Sequence, residues 1–466
     1  MFFEIKRSEK KALISSDGTI VTYEELAGYI EEFGKMIPER DLAFCLCENS
    51  PASVIGYLGC LNRRVVPLMV DHRIEEGLLS HLLEVYHPNF VYVPDRCTEK
   101  FQEYEPVGTI MNYVLMQAKE KKPVELYEDL ALLLTTSGST GSPKLVRQTY
   151  RNIQSNAEAI AAYLELDDTE RPVTTLPMNY TYGLSIINSH LQVGATILMT
   201  DYAMNMKPFW TFMKNEKATS FGGVPFTYEL LKKVRFFRMD IPNLRYMTQA
   251  GGKLSPELHK EFAEWCEEKG KKFIVMYGQT EATARMAYLP AERSIEKYGS
   301  MGIPIPGGKF LLIDVNGNEI DDIETVGELV YEGDNVTLGY AECRADLLKG
   351  DERGGRLVTG DMAKRDADGF YYIVGRKKRF LKIYGNRVNL DEIDRLIKAT
   401  FADVDCASTG VDDHMKTYIT AKDKCDEVRQ WLAATTHLSE IAFEVLFVEE
   451  IPKNESGKVL YKNLPQ

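Results

Sequence analysis

LALLLTTSGSTGSPK, Leu130 to Lys144, sets an apolar run against a loop of hydroxyls, two glycines, a proline and a closing lysine. A short apolar run bounded by turn residues reads as a buried strand, and the loop that leaves it suits a polyphosphate. Its glycines let backbone N–H groups approach phosphate oxygens, Ser137, Ser139 and Thr140 donate hydrogen bonds, and Lys144 adds a point charge. A nucleoside-triphosphatase loop of the Gly-x4-Gly-Lys-Ser/Thr type is excluded, because Pro143 precedes the lysine and Leu145 follows it.

Outward from that loop, the runs DLAFCLC, FVYV, ATILM and FIVMYG alternate with helix-like segments such as NIQSNAEAIAAYL and SPELHKEFAEWCEEKG. This rhythm predicts an α/β architecture of sheets covered by helices. Near the start, TYEELAGYIEEFGKMI places Thr22 and Glu25 at capping-box spacing, with Leu26, Ile30, Phe33 and Ile37 on one helical stripe. GGKFLLIDVNGNEI and GELVYEGDN carry turn signals between β-rich runs, so a smaller, more antiparallel region is expected before residue 375. Glycines then bracket the basic stretch GRKKRFLKIYGNR, after which LDEIDRLIKATF opens a new helix. The expected division is therefore a large domain over 1–376, with mixed sheets and a β-rich subdomain, and a small mobile α+β lid over 377–466.

The 466 residues carry a formal net charge of -13, which disfavours nucleic acid and anionic membranes as partners. No run approaches the ~18 apolar residues of a membrane span, and MFFEIKRSEKKALISS lacks a secretory h-region, so a cytoplasmic protein is expected. The eight cysteines form no CxxC pair and the seven histidines no HExxH, leaving a structural metal without ligands at familiar spacing.

Five segments occur in one order: TSGSTGSPK, YGQTEA (Tyr277 to Ala282), TGD (Thr359 to Asp361), GRKKRFLKIYGNRV and NESGKV. In that order the chain, over about 135–466, resembles the adenylate-forming superfamily of acyl- and aryl-CoA synthetases, carrier-charging adenylation domains and luciferases. The resemblance implies that a carboxylic acid is activated by ATP to an acyl-adenylate with release of pyrophosphate, then passed to a thiol. Coenzyme A is the expected acceptor, a phosphopantetheine-bearing acyl carrier protein is the alternative, and a non-catalytic nucleotide-binding protein is a further one.

The same resemblance assigns roles. Thr136, Ser137, Gly138, Ser139, Thr140, Gly141 and Lys144 would close on the β- and γ-phosphates, and Tyr277 would stack on adenine. Thr280 would touch the α-phosphate, while Glu281 and Thr140 would hold Mg²⁺. Gly251 and Gly252 would pass beside adenine and the acyl pocket, and Asp361 with Arg376 would bind the ribose hydroxyls. Lys458 would bridge the acid carboxylate and the α-phosphate, and the lid would rotate about Lys378 between half-reactions. Aligning Gly194 and Ala195 puts Thr181 where amino-acid-activating members carry aspartate, which argues against an α-amino acid. Tyr180 and Gly223 are candidate substrate contacts, with Asn179, Tyr182 and Asn188 nearby in the alignment. Lys377, Lys378, Arg379 and Lys382 offer the basic face that an acidic carrier would need.

Overall fold

The architecture is taken from a computed structural model that describes residues 1–135, 144–384, 386–454 and 457–465. The chain forms two compact units, Met1–Lys309 with Tyr331–Leu357, and Phe310–Val330 with Val358–Gln466.

Two large sheets organise the first unit. In one, Leu42–Cys47 lies between Val66–Asp71 and Phe90–Pro94, all parallel. All six residues of LAFCLC are buried, which is why this strand is apolar on both faces rather than alternating. Leu130–Thr135 runs parallel to Val66–Asp71 on one side and antiparallel to Leu145–Thr149 on the other. The two ends of the hydroxyl-rich loop are thereby fixed, with Thr135 opposite Leu145.

The other sheet has nine strands. At its centre Ser220–Gly223, Tyr246–Gln249 and Lys272–Tyr277 run parallel and in register, Gly223 beside Gln249 and Gln249 beside Val275. Their carboxyl ends therefore open on one edge, the place where open α/β sheets bind ligands. Helix Tyr23–Met36 starts with the expected capping box, Glu25 N donating to Thr22 Oγ1 at 3.1 Å and Thr22 N to Glu25 Oε2 at 2.8 Å. Among the described residues no helix is long and apolar enough to cross a membrane.

The second unit begins with a four-stranded sheet whose last two strands, Arg356–Arg365 and Tyr371–Arg376, pair antiparallel through a bulge between Met362 and Ala363. A hairpin of Phe380–Ile383 with Asn386–Asn389 follows, then a three-stranded sheet of Cys406–Val411, His414–Ile419 and Phe443–Phe447. Helix Leu390–Thr400, capped by Asn389, buries Ile393 and Ile397 in a core shared with Val428 and Leu432 of helix Cys425–Thr436. The division expected at 376/377 lies inside this unit.

Candidate active site

Residues 136–141, which hold six of the seven phosphate-loop candidates, lie outside the described residues. Lys144, at the loop's exit, is described. Its Nζ pairs with Glu342 Oε1 at 2.5 Å and stands 5.7 Å from the Tyr340 ring centroid.

Tyr340 connects that exit to the YGQTEA turn. Strand Gly339–Ala341 pairs antiparallel with Leu145–Thr149, placing Tyr340 opposite Val146. The Tyr340 hydroxyl donates to Glu281 Oε1 at 2.6 Å. Burial first, and the Glu281 carboxylate second, push this phenol up to about 12, so it remains a donor at neutral pH. Arg353 braces the same cluster: its guanidinium lies 4.8 Å from the Tyr340 ring centroid and donates to Glu281 O at 3.1 Å and to Thr337 Oγ1 at 2.5 Å. Lys144 and Glu281, 137 positions apart, thus meet at one aromatic ring beside a cleft of about 530 Å³ lined by Glu342, Glu352 and Arg353. Among the described residues, no group of three or more His, Cys, Asp or Glu side chains could hold a metal ion.

The anchor beneath this cluster is Arg147, whose side chain is fully buried. Its guanidinium donates to the carbonyls of Tyr340 at 3.0 Å, Gly350 at 3.3 Å, Leu338 at 3.4 Å and Lys349, and pairs with Glu352 at 2.5 Å. Arg147 carries no motif; its one signal in the sequence is a cation in an otherwise apolar and polar-neutral strand, LVRQT.

The carboxyl edge of the nine-stranded sheet collects the adenine and acid candidates. Tyr277 ends strand Lys272–Tyr277, and its hydroxyl accepts from Gln279 Nε2 at 3.1 Å. Thr280 and Glu281 lie in the short turn Thr280–Ala282 that follows. Gly278 admits no side chain, because a Cβ there would stand 1.6 Å from the Ala284 carbonyl oxygen. Gly251 has φ +83°, and a Cβ on it would lie 2.6 Å from the Tyr180 hydroxyl. Gly252 abuts Pro225 in the same way, so Tyr180, Gly251 and Gly252 share one wall. Gly223 ends its strand, and the space a Cβ would take is bounded by Thr227 and Tyr228 of helix Pro225–Lys233. Thr181 opens helix Thr181–Gln192 and lines a small cavity of about 10 Å³ with Asn188.

In the second unit Asp361 stands directly across the ladder from Arg376, Oδ1 to Nε 3.8 Å, with its own amide donating to Thr359 Oγ1 at 3.1 Å. Lys458 is held on a tight loop: its amide donates to Asn454 Oδ1 and its carbonyl accepts from Asn454 N, both at 2.9 Å. The Lys378 side chain lies outside the described residues. Arg379 is mostly buried, donating to Asp391 and Asp394 at 2.8 and 2.9 Å and stacking 4.3 Å from the Tyr461 ring centroid. Lys377 pairs with Glu328 at 2.7 Å. Of the basic stretch expected to face a carrier, Arg379 is therefore committed to its own unit's core, and an ion pair occupies Lys377.

A profile of the family described as "AMP-binding enzyme" matches residues 5–341. The chain is 30% identical over 451 residues to a 2-succinylbenzoate–CoA ligase of Geobacillus sp. (strain WCH70), covering 92% of this chain and 88% of that one. It is 27% identical over 486 residues to a feruloyl-CoA synthase of Amycolatopsis sp., covering 98% and 95%. Among solved structures it resembles o-succinylbenzoate CoA synthetase from Bacillus subtilis in complex with the acyl-adenylate intermediate OSB-AMP. That likeness has a TM-score of 0.78 at 21% identity, covers 98% of this chain and 96% of that one, and establishes the fold.

Proposed function

Because the chain belongs to the AMP-binding enzyme family, we propose that it activates a carboxylic acid with MgATP and transfers the acyl group to the thiol of coenzyme A. A carboxylate oxygen attacks the α-phosphorus, the bond to the bridging oxygen breaks, and pyrophosphate leaves. The thiol then loses its proton and attacks the acyl carbon, and AMP departs with the electrons of the anhydride bond.

The observation that carries this reading is the convergence of Lys144, Tyr340, Glu281 and Arg353 beside the end of strand Lys272–Tyr277. Lys144 and Glu342 are both well exposed, so their pair is weak and readily exchanged for a phosphate. Glu281 has one oxygen engaged by Tyr340, and its other oxygen suits a Mg²⁺ that arrives on the phosphates and needs one or two carboxylates. Tyr277 offers the aromatic face for adenine. The Asp361 carboxylate offers acceptors for two ribose hydroxyls, with Arg376 beside it.

Residues 136–141 would close on the β- and γ-phosphates, and Lys458 would stabilise charge that grows as the acid oxygen meets phosphorus. The lid is proposed to turn about Lys378 between the two steps. Coenzyme A is favoured as acceptor by relatives named as a CoA ligase and a CoA synthase, and the burial of Arg379 removes part of the basic face that a carrier protein would use. The acid itself differs among those relatives.

Acid-dependent ATP–pyrophosphate exchange tests the reading. Lys458→Ala is expected to lower the exchange rate by about 100-fold or more at unchanged ATP affinity, and Asp361→Ala to weaken ATP binding. Exchange that survives Lys458→Ala intact removes that lysine from the adenylation step.

A further inference from the structure

Arg285, four positions beyond Glu281, is only 2% exposed, and its Nε finds no hydrogen-bond partner. Among the described residues no carboxylate comes within ion-pairing distance of it. A guanidinium stays charged at any physiological pH, and a buried charge is costly unless an opposite charge or a full set of acceptors meets it. The protein nevertheless holds this one firmly. Asn156 Nδ2 and Asn335 Nδ2 both donate to Arg285 O at 2.9 Å, and the neighbouring Thr283 and Ala284 carry positive φ values of 54° and 105° that turn the chain into place.

Its surroundings are those of the acid candidates. The guanidinium carbon lies 3.8 Å from the ring centroid of Tyr182. Tyr182 donates to Thr248 O at 2.8 Å, and its hydroxyl closes on Gly222, where a Cβ would stand only 2.9 Å away. Tyr180, whose ring centroid is 6.3 Å from that of Tyr182, closes on Gly251. The contacts therefore run from Gly251 through Tyr180 and Tyr182 to Arg285, beside the carboxyl ends of the central strands. The phenols supply no counter-charge, since burial raises the pKa of Tyr163, Tyr180 and Tyr182 and keeps all three neutral. Stacking on Tyr182 and the neutral hydroxyls of Tyr163 and Tyr182 beside the guanidinium offset part of the cost of burying the cation, but bring no opposite charge to it.

We propose that Arg285 is the specificity residue of the acid pocket, and that the acid activated here carries a second anionic group, a carboxylate remote from the one that reacts. This rests on the acid-activation reading given above. The second carboxylate accepts from the guanidinium edge, where planar donors match its two oxygens, while the reacting carboxylate lies toward Thr280 at the other end of the same turn. A monocarboxylic acid of equal length would leave the buried cation unpaired. Discrimination of this kind, where a buried polar group loses its partner, is larger than a methylene difference can give.

The experiment is ATP–pyrophosphate exchange by the full-length protein on matched acids, aliphatic and aryl, each offered as the dicarboxylate and as its methyl monoester. The wild-type protein is expected to use at least one dicarboxylate with kcat/KM about 100-fold or more above its monoester. Arg285→Met should remove most of that preference, chiefly through KM for the diacid, and Arg285→Lys should restore part of it. ATP affinity, measured separately by calorimetry, should not change in either variant. Exchange that favours monoesters or treats the two forms alike, already visible in the wild-type protein, overturns the role of Arg285 and leaves acid activation standing. ATP binding without exchange on any acid of the panel overturns acid activation and this assignment with it.

Discussion

Replacing Arg147 with methionine would release the segment that carries Tyr340. The guanidinium holds four carbonyls, those of Leu338, Tyr340, Lys349 and Gly350, together with the Glu352 carboxylate. Methionine fills similar volume but donates nothing. At a net ~1 kcal/mol for each carbonyl bond, with Glu352 half-exposed and free to rehydrate, the loss comes to roughly 3–5 kcal/mol. That is a large share of the ~5–15 kcal/mol by which a domain is usually stable. Urea unfolding followed by tryptophan fluorescence measures it, because Trp210 and Trp265 report on the first unit and Trp431 on the second. In a Trp431→Phe background the midpoint should fall by about 1 M or more, taking a slope near ~3 kcal/mol per M for a unit of this size. Arg147→Lys should recover little, since one ammonium cannot span four diverging carbonyls. A shift below about 0.3 M for Arg147→Met would mean that water replaces the guanidinium at little cost, and the anchoring role would have to be abandoned.

Two further outcomes follow from the same unit. Gly278→Ala would bring a methyl group 1.6 Å from the Ala284 carbonyl oxygen, so the 278–285 turn must shift. Exchange activity should drop by at least about tenfold while the far-ultraviolet circular dichroism is kept, and unaltered activity would refute the close approach. His190 is buried, its Nδ1 2.7 Å from Ile186 O and its Nε2 3.0 Å from the Tyr246 hydroxyl, and burial lowers its pKa to about 4. Protons then bind the unfolded chain more readily than the folded one, so the contribution of His190 is intact above pH ~6.5 and is lost as pH falls from there toward 4. His190→Asn should flatten the loss of urea midpoint between pH 6.5 and 4.5; an unchanged slope would place the acid sensitivity elsewhere.

Local features were legible because their causes are local. The Thr22 and Glu25 capping box, the apolar strands Leu42–Cys47 and Leu130–Thr135, and the helix at Leu390–Thr400 follow from spacings of a few residues. Motif order made the Asp361 and Arg376 pair visible in advance, and a strand ladder places the two side chains opposite each other. Tyr340, Arg353 and Arg147 were not visible. Tyr340 meets Glu281 across 59 positions, and Arg147 meets its carbonyls across about 200, separations at which no periodicity survives. Arg285 left a faint mark, a cation in the apolar run ATARMAYL, but only its burial without an opposing charge distinguishes it from a solvated arginine.

The bulge in the ladder of Arg356–Arg365 with Tyr371–Arg376 makes one pairing a matter of counting. From Arg365 opposite Tyr371 to Ala363 opposite Ile373 the partners advance in step, and the irregularity between Met362 and Ala363 then lets one extra residue through. In an uninterrupted ladder Gly375, and not Arg376, would face Asp361. The carboxylate and the guanidinium therefore depend on chain length as much as on their own identity. Loss of Met362 with the bulge kept would set Asp361 opposite Gly375 and part the pair with both side chains intact, so this short hairpin should tolerate exchanges of residue far better than changes in their number.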